Sequence, residues 1–184
     1  MSFFIIYFYE CVWGFYLASS CLSFEGWYSL IASINDERKR LIFELLYSSG
    51  CSESEIIDLK YSDISVSSSS IKFGNRISIL PISLIQRVFS LKKDSNSKYF
   101  LSSRQSSKMS SKRLQQIVSE TSEQNTGNRI TPQDIRTTHV YHALLKNKSV
   151  ISISEQTGLT PQRIAQIIEQ NKTSLKKNSY RYEL

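Results

Sequence analysis

Apolar residues recur along this chain with two different periods. Phe24, Trp27, Leu30 and Ile31 fall at three- and four-residue steps and predict a short helix over 23–33. Asn35 is the expected N-cap of the next helix, with Asp36 and Glu37 in a first turn where the helix dipole favours acids. Its apolar stripe, Leu41, Ile42, Leu45 and Leu46, ends at Gly50. Ser52-Glu53-Ser54-Glu55 is a capping box opening a helix through Leu59. The pattern then turns β-like at Ile64–Val66, Ser70–Phe73 and Arg76–Leu80, with Gly74-Asn75 as a turn between the last two, so a small antiparallel sheet is predicted. Helical spacing returns over Pro81–Leu91. Lys92–Lys98 reads as a polar loop and Tyr99–Leu101 as a brief strand. Ser110 or Ser111 caps a helix carrying Leu114, Ile117 and Val118. Thr131 caps the next, with Pro132 at its first position, where the missing N–H costs nothing. From Ser152 a helix, a turn at Gly158 and a second helix starting near Pro161 make either a helix-turn-helix reader or an ordinary αα-hairpin. The sum is an α+β fold, mainly α-helical, with a small antiparallel sheet.

Ahead of these elements, residues 3–22 read FFIIYFYECVWGFYLASSCL, with Glu10 as the one charge. The length is near that of a membrane span, but a carboxylate close to its middle costs roughly 2.5 to 3.5 kcal/mol on insertion scales. No basic segment precedes it, as a secretory signal would require. It reads first as a buried leader ahead of the domain and second as a membrane-associated segment. The expected division is 1–21 as leader and 22–184 as one domain.

Composition narrows the chemistry. The 184 residues suit one domain, and six Gly against 34 Ser leave neither GxGxxG nor GxxxxGK[ST], so kinase and dinucleotide readings start weak. The formal charge is +7, but residues 1–35 hold no Lys or Arg, and Arg87–Lys148 holds twelve basic residues against four acidic. That density suits a polyanion, since neutralising phosphates releases counterions. Cys11, Cys21 and Cys51 are odd in number and lack C-x-x-C spacing, which fits a reducing compartment and no zinc site. His139 and His142 stand at i, i+3 without a Cys or carboxylate cluster, so no metal is implied.

Two stretches bear a resemblance. LIFELLYSSGCSESEIIDLKYSDI (41–64) is similar to the "LLxTGLRxSELxxLxWxDI" box of the tyrosine recombinase (phage integrase) catalytic domain, and ITPQDIRTTHVYHALL (130–145) to its "xTPHxLRHTxATxLL" box. The sheet and the Tyr99–Ile117 segment fall between them in the family's order, and the resemblance covers about residues 22–184. It implies the family's catalytic fold and its chemistry: a tyrosine cuts one DNA strand through a 3′-phosphotyrosyl link, while arginines and His or Lys groups stabilise the phosphate. No organic cofactor or metal is implied, because the link conserves the bond energy.

Carried over residue by residue, the first-box arginine falls on Ser52, which cannot supply a bidentate charge. The hairpin lysine falls beside Phe73, so Lys72 or Arg76 would substitute with a shifted turn. The HxxR histidine is Gln133, and Arg136 matches the second arginine. The later Gly-His pair falls on Gly158-Leu159, which places Ile168 at the nucleophile. A second register sets Ser174–Tyr182 against "SLxTTxRY" and makes Tyr182 the nucleophile, with Tyr180 next. The resemblance thus implies Arg136, Tyr182 and Lys72 as catalytic candidates, and Arg76, Arg104, Lys112, Arg113, Gln133 and Arg163 as DNA contacts.

The expected protein is a DNA-binding, integrase-like domain with weak or absent strand cleavage, acting on double-stranded DNA, with homo-oligomers on DNA as a further expectation. Losing a bidentate arginine and a general acid would each remove on the order of 10² to 10⁴ in rate. Three other readings stay open: an active divergent recombinase using Arg136, Lys72 and Tyr182; a helix-turn-helix regulator reading DNA through Thr160–Ile168, with Gln162 and Arg163 as the residues to test; and a decayed mobile-element remnant. The expected location is cytoplasm or nucleoid, or an organelle such as a plastid, and not the secretory route.

Overall fold

The computed structural model of the protein describes residues 16–17, 21–94, 97–103 and 108–171. Its order is β1 (Tyr16–Leu17), β2 (Cys21–Leu22), α1 (Phe24–Ser33), α2 (Glu37–Ser49), α3 (Glu53–Asp58), β3 (Ile64–Ser65), β4 (Ser70–Phe73), β5 (Arg76–Ile79), α4 (Ile82–Ser90), α5 (Ser111–Thr126), α6 (Pro132–Leu145), α7 (Val150–Thr157) and α8 (Pro161–Gln170). The mainly helical α+β architecture is the one the pattern predicts. β3, β4 and β5 form an antiparallel sheet in that order, and β1 pairs with β2 separately, across the boundary expected at 21/22.

Side-chain caps set most helix starts. Ser23, Asp36, Ser52, Ser110, Thr131, Ser149 and Thr160 each accept a backbone N–H of the first turn, leaving α4, which starts after Pro81, as the exception. Each such cap contributes about 1 kcal/mol, so part of the serine excess is helix-terminating chemistry.

Three local expectations are corrected. The cap of α2 is Asp36, whose carboxylate accepts from Lys39 N at 2.9 Å, and not Asn35. The segment after α4 begins as a 3-10 turn, Leu91–Asp94, where a loop was expected. Tyr99–Leu101 is no strand: Phe100 N donates to Leu59 O and Tyr61 N to Lys98 O, but the chain turns into a 3-10 helix at Tyr61, so only an isolated bridge forms.

α6 stands between two apolar clusters. Leu41, Phe43, Leu45, Leu46, Ile56, Ile71, Ile85, Phe100, Leu114 and Ile135 belong to the larger one. Val140 packs with Ile153, Ile164 and Ile167 in the smaller one, which seats α7 and α8 on α6. Burial almost all round α6 includes polar residues, and each has a partner. Thr138 Oγ1 accepts from Leu22 N at 3.1 Å, and His142 Nε2 lies 2.9 Å from Leu22 O. One turn of α6 therefore satisfies both backbone groups of Leu22 and bolts β2 to the core. The carbonyl can only accept, so Nε2 carries the proton and Nδ1 accepts from Tyr47 Oη at 2.8 Å.

Burial holds His139 and His142 near pKa 4, well below the ordinary histidine value. The unfolded chain therefore binds more protons between about pH 6.5 and 4, so stability falls as pH falls through that window. His142, 2% exposed, contributes on the order of 3 kcal/mol of this loss. Glu37 and Glu55, whose carboxyls their arginine partners hold below the usual range, add a loss of the same sign only at more acid pH. Urea denaturation at pH 7, 5.5 and 4.5 checks this, and equal unfolding free energies at all three would refute it.

Candidate active site

α3 is a single helical turn and a half with a different cleft on each side. Ser52 and Gln133 line one cleft of about 540 Å³ together with Glu53, Asp58 and Lys108. The two positions where the resemblance wants an arginine and a histidine thus share one space. Its charge is wrong for a phosphate, because the two carboxylates outnumber the lysine and Lys108 Nζ is already 2.8 Å from Asp58 Oδ1. Ser52 is occupied as a cap: its Oγ accepts from Glu55 N at 3.3 Å, and its own N–H donates to Glu55 Oε2 at 2.7 Å.

On the other side Glu55 meets Arg76. The guanidinium donates Nε to Oε1 and an Nη to Oε2, both at 2.9 Å, in the bidentate geometry that carboxylates favour. Its other Nη donates to Ser78 Oγ and to Gln156 O, each at 2.5 Å, and the group stacks 4.7 Å from the Phe73 ring centre. Arg76 was expected as a DNA contact, yet every nitrogen of its side chain is engaged and the side chain is 14% exposed. Lys72, one pleat away on β4, is exposed and lines the cleft beside Ser54, Glu55 and Gly74.

Arg136 projects from α6 to the next carbonyl of α7. Nε donates to Gly50 O at 2.8 Å and one Nη to Thr157 O at 2.6 Å, which leaves the other Nη without a partner among the described residues. Burial lowers its pKa, with Arg76 and Arg163 adding to the effect and Glu55 opposing it. A hydrogen bond to a charged donor contributes about 1.5 to 3 kcal/mol, so turning the whole guanidinium toward an external phosphate sacrifices two such bonds.

The remaining expected contacts lie elsewhere. Arg163 is exposed on α8 and donates to Gln166 Oε1 at 2.8 Å. Lys112 and Arg113 are exposed in the first turn of α5. Arg113 shares a groove of about 630 Å³ with Arg38, Lys39, Lys108 and Asp36. This basic groove joins the N-terminal ends of α2 and α5, and the sequence reading missed Arg38 and Lys39. Their only signal was the ERKR run after the cap, which periodicity assigns to a solvated first turn. Arg104, Tyr180 and Tyr182 lie outside the described residues. His139 and His142 do not form a free pair of ligands, because both ring nitrogens of His142 are engaged. Among the described residues no group of three or more His, Cys, Asp or Glu side chains is placed to hold a metal ion.

Residues 28–173 match the sequence profile of the phage integrase family. No curated protein sequence matches the chain. Among solved structures, XerA recombinase superposes with a TM-score of 0.79 at 18% identity, covering 90% of this chain and 64% of that one. XerH site-specific recombinase bound to a palindromic difH substrate gives 0.73 at 15% identity, over 90% of this chain and 54% of that one. The lambda integrase catalytic core gives 0.58 at 15% identity, over 76% of this chain and 91% of that one. The chain therefore spans about two thirds or less of the two recombinases and most of the catalytic core.

Arg76→Met leaves the half-buried Glu55 carboxylate and the Gln156 carbonyl without their cation. The expected cost is about 2 to 4 kcal/mol of folding stability, read by urea denaturation at pH 7. Glu55→Gln, which keeps a hydrogen-bonding partner for Arg76, should cost less. Equal stability of Arg76→Met and the natural chain would show that the pair is not structural.

Proposed function

The chain belongs to the phage integrase family, and on that premise we propose that it binds double-stranded DNA as a tyrosine-recombinase-like domain whose own strand cleavage is weak. One observation carries this reading: the cations divide into two sets. Arg76 and Arg136, nearest the family's catalytic positions, are engaged with Glu55 and with main-chain carbonyls. Arg38, Lys39, Lys112 and Arg113 make no ion pair among the described residues and stand at the N-terminal ends of two helices. Positive helix ends and unpaired cations attract a phosphate backbone. Spent guanidinium groups do not clamp a pentavalent phosphorus.

The proposed mechanism is consequently one of binding first. The basic groove tracks one stretch of backbone, and the exposed Lys72 and Arg163 add positive charge elsewhere on the surface. Cleavage would need Arg136 to present its remaining Nη edge and Tyr182 to approach it, with no cation at Ser52 and no proton-shuttling histidine at Gln133. Backbone contacts of this kind give affinity without base readout.

Binding to a 30-base-pair duplex should weaken steeply with salt. Lys112→Glu with Arg113→Glu should reduce affinity tenfold or more and lower the salt slope by about 2, since each neutralised phosphate contributes about 0.9. Binding unaffected by both salt and these changes would defeat the groove assignment. On a nicked suicide duplex the expected yield of covalent protein–DNA adduct is at background. A robust adduct abolished by Tyr182→Phe would overturn the weak-cleavage reading.

A further inference from the structure

β5 carries its side chains the wrong way round for an exposed edge. Its inward residue Ser78 is fully buried, whereas Ile77 and Ile79 point outward with 61% and 74% of their surface exposed. Natural edge strands ordinarily turn charge or proline to the water instead. Beside Ile79 runs a groove of about 430 Å³ between the end of the sheet and helices α6 and α7. Its apolar walls are Tyr47, Ile79, Pro81, Ala143 and Ile153, and Lys146 and Lys148 stand at its rim. An apolar groove and an apolar strand face in contact make a surface that calls for a cover.

The chain itself supplies one of matching chemistry. Twelve of residues 1–15 are apolar or aromatic, and Glu10 is their only charge. These residues, which lie outside the described ones, join the fold at Tyr16. Tyr16 pairs with Leu22, Leu22 O is 2.9 Å from His142 Nε2, and His142 is itself part of the groove lining. The segment therefore enters the fold at a strand whose partner, Leu22, is hydrogen-bonded to a residue of the groove lining. Fifteen residues extend to roughly 50 Å, so reach sets no limit.

We propose that residues 3–15 dock in this groove, with aromatic side chains against Ile79, Pro81 and Ala143 and Glu10 beside Lys146 and Lys148. The segment is then a part of the domain's own apolar structure, which a membrane span or a contact between copies would not be. This inference is independent of the DNA-binding proposal, because the groove includes none of the cations assigned there.

The test uses the full chain labelled with 5-fluorotryptophan, whose two fluorine signals come from Trp13 and Trp27 and are assigned with Trp13→Phe. The expected result, in lipid-free monomer verified by light scattering, is a Trp13 signal insensitive to exchange of water for heavy water. Ile79→Asp should shift that signal to its solvent-exposed position, leave the Trp27 signal unchanged and speed chymotrypsin cleavage within residues 3–15 at least tenfold. Lys146→Glu with Lys148→Glu should act likewise, and adding Glu10→Lys should restore the protected signal, which keeps the proposal testable if Ile79→Asp fails to fold. A solvent-exposed Trp13 in the monomer overturns the proposal. So does protection that survives every groove variant, that requires self-association, or that arises only with phosphatidylglycerol vesicles.

Discussion

Two arginines from opposite sides of the fold close on consecutive carbonyls at one helix end. Gln156 O accepts from Arg76 and Thr157 O from Arg136, so the negative end of α7 is met by two guanidinium groups. The same two side chains reach α3 through Glu55 and the end of α2 through Gly50 O. The contact brings helix ends closer than side chains allow. A Cβ on Gly50 would lie 2.6 Å from Thr157 Cγ2, and one on Gly158 3.0 Å from Arg76 Nε. Both glycines are also left-handed, with φ of +58° and +71°, so the clamp and the turns require the same residue type.

Because α8 begins three residues past Gly158, the direction in which α8 leaves α7 is set by this clamp. Its electrostatics are self-consistent. Glu55 is half-buried and would be an uncompensated carboxylate with Ser52 beside it. Arg76 supplies the cation from the hairpin and fixes it bidentately. Arg136 feels Glu55 only at a distance, against like-charged neighbours in Arg76 and Arg163, and its hydrogen bonds go to carbonyl dipoles instead of a carboxylate. A group so placed can hold structure strongly and recruit an external anion weakly, because the second task competes for the same N–H bonds.

What was legible in the sequence follows from which interactions are local. The capping box at Ser52–Glu55, the Thr131-Pro132 start, the hairpin at Gly74-Asn75 and the terminator at Gly50 depend on neighbours within four residues, and all are present. Asp36 took the cap from Asn35 by one position, a contest between two competent acceptors that periodicity cannot resolve. The burial of α6 was hidden, since Thr138 and His142 look solvent-facing until Leu22, more than a hundred residues away, supplies their partner. The site was legible in part. The places of Arg136, Ser52 and Gln133 could be read from the boxes, whereas the engagement of Arg76 depends on Glu55 and Gln156 meeting across 21 and 80 residues of sequence.

The basic groove and the acidic cleft lie on either side of Lys108, which lines both. Its ammonium goes to Asp58, on the cleft side, at 2.8 Å, and so partly neutralises the cleft at the groove's expense. Both side chains of that pair are more than half exposed, so water and salt screen it and it contributes little to stability. The pair therefore holds Lys108 only loosely. A phosphate backbone entering beside Arg38, Lys39 and Arg113 offers Lys108 a denser negative charge than one exposed carboxylate does. A lysine drawn toward the groove would leave the cleft that Glu53 and Asp58 line without its one cation. On the proposed binding role the groove and the cleft compete for the same lysine, because Lys108 lines both and its single ammonium can serve one of them at a time.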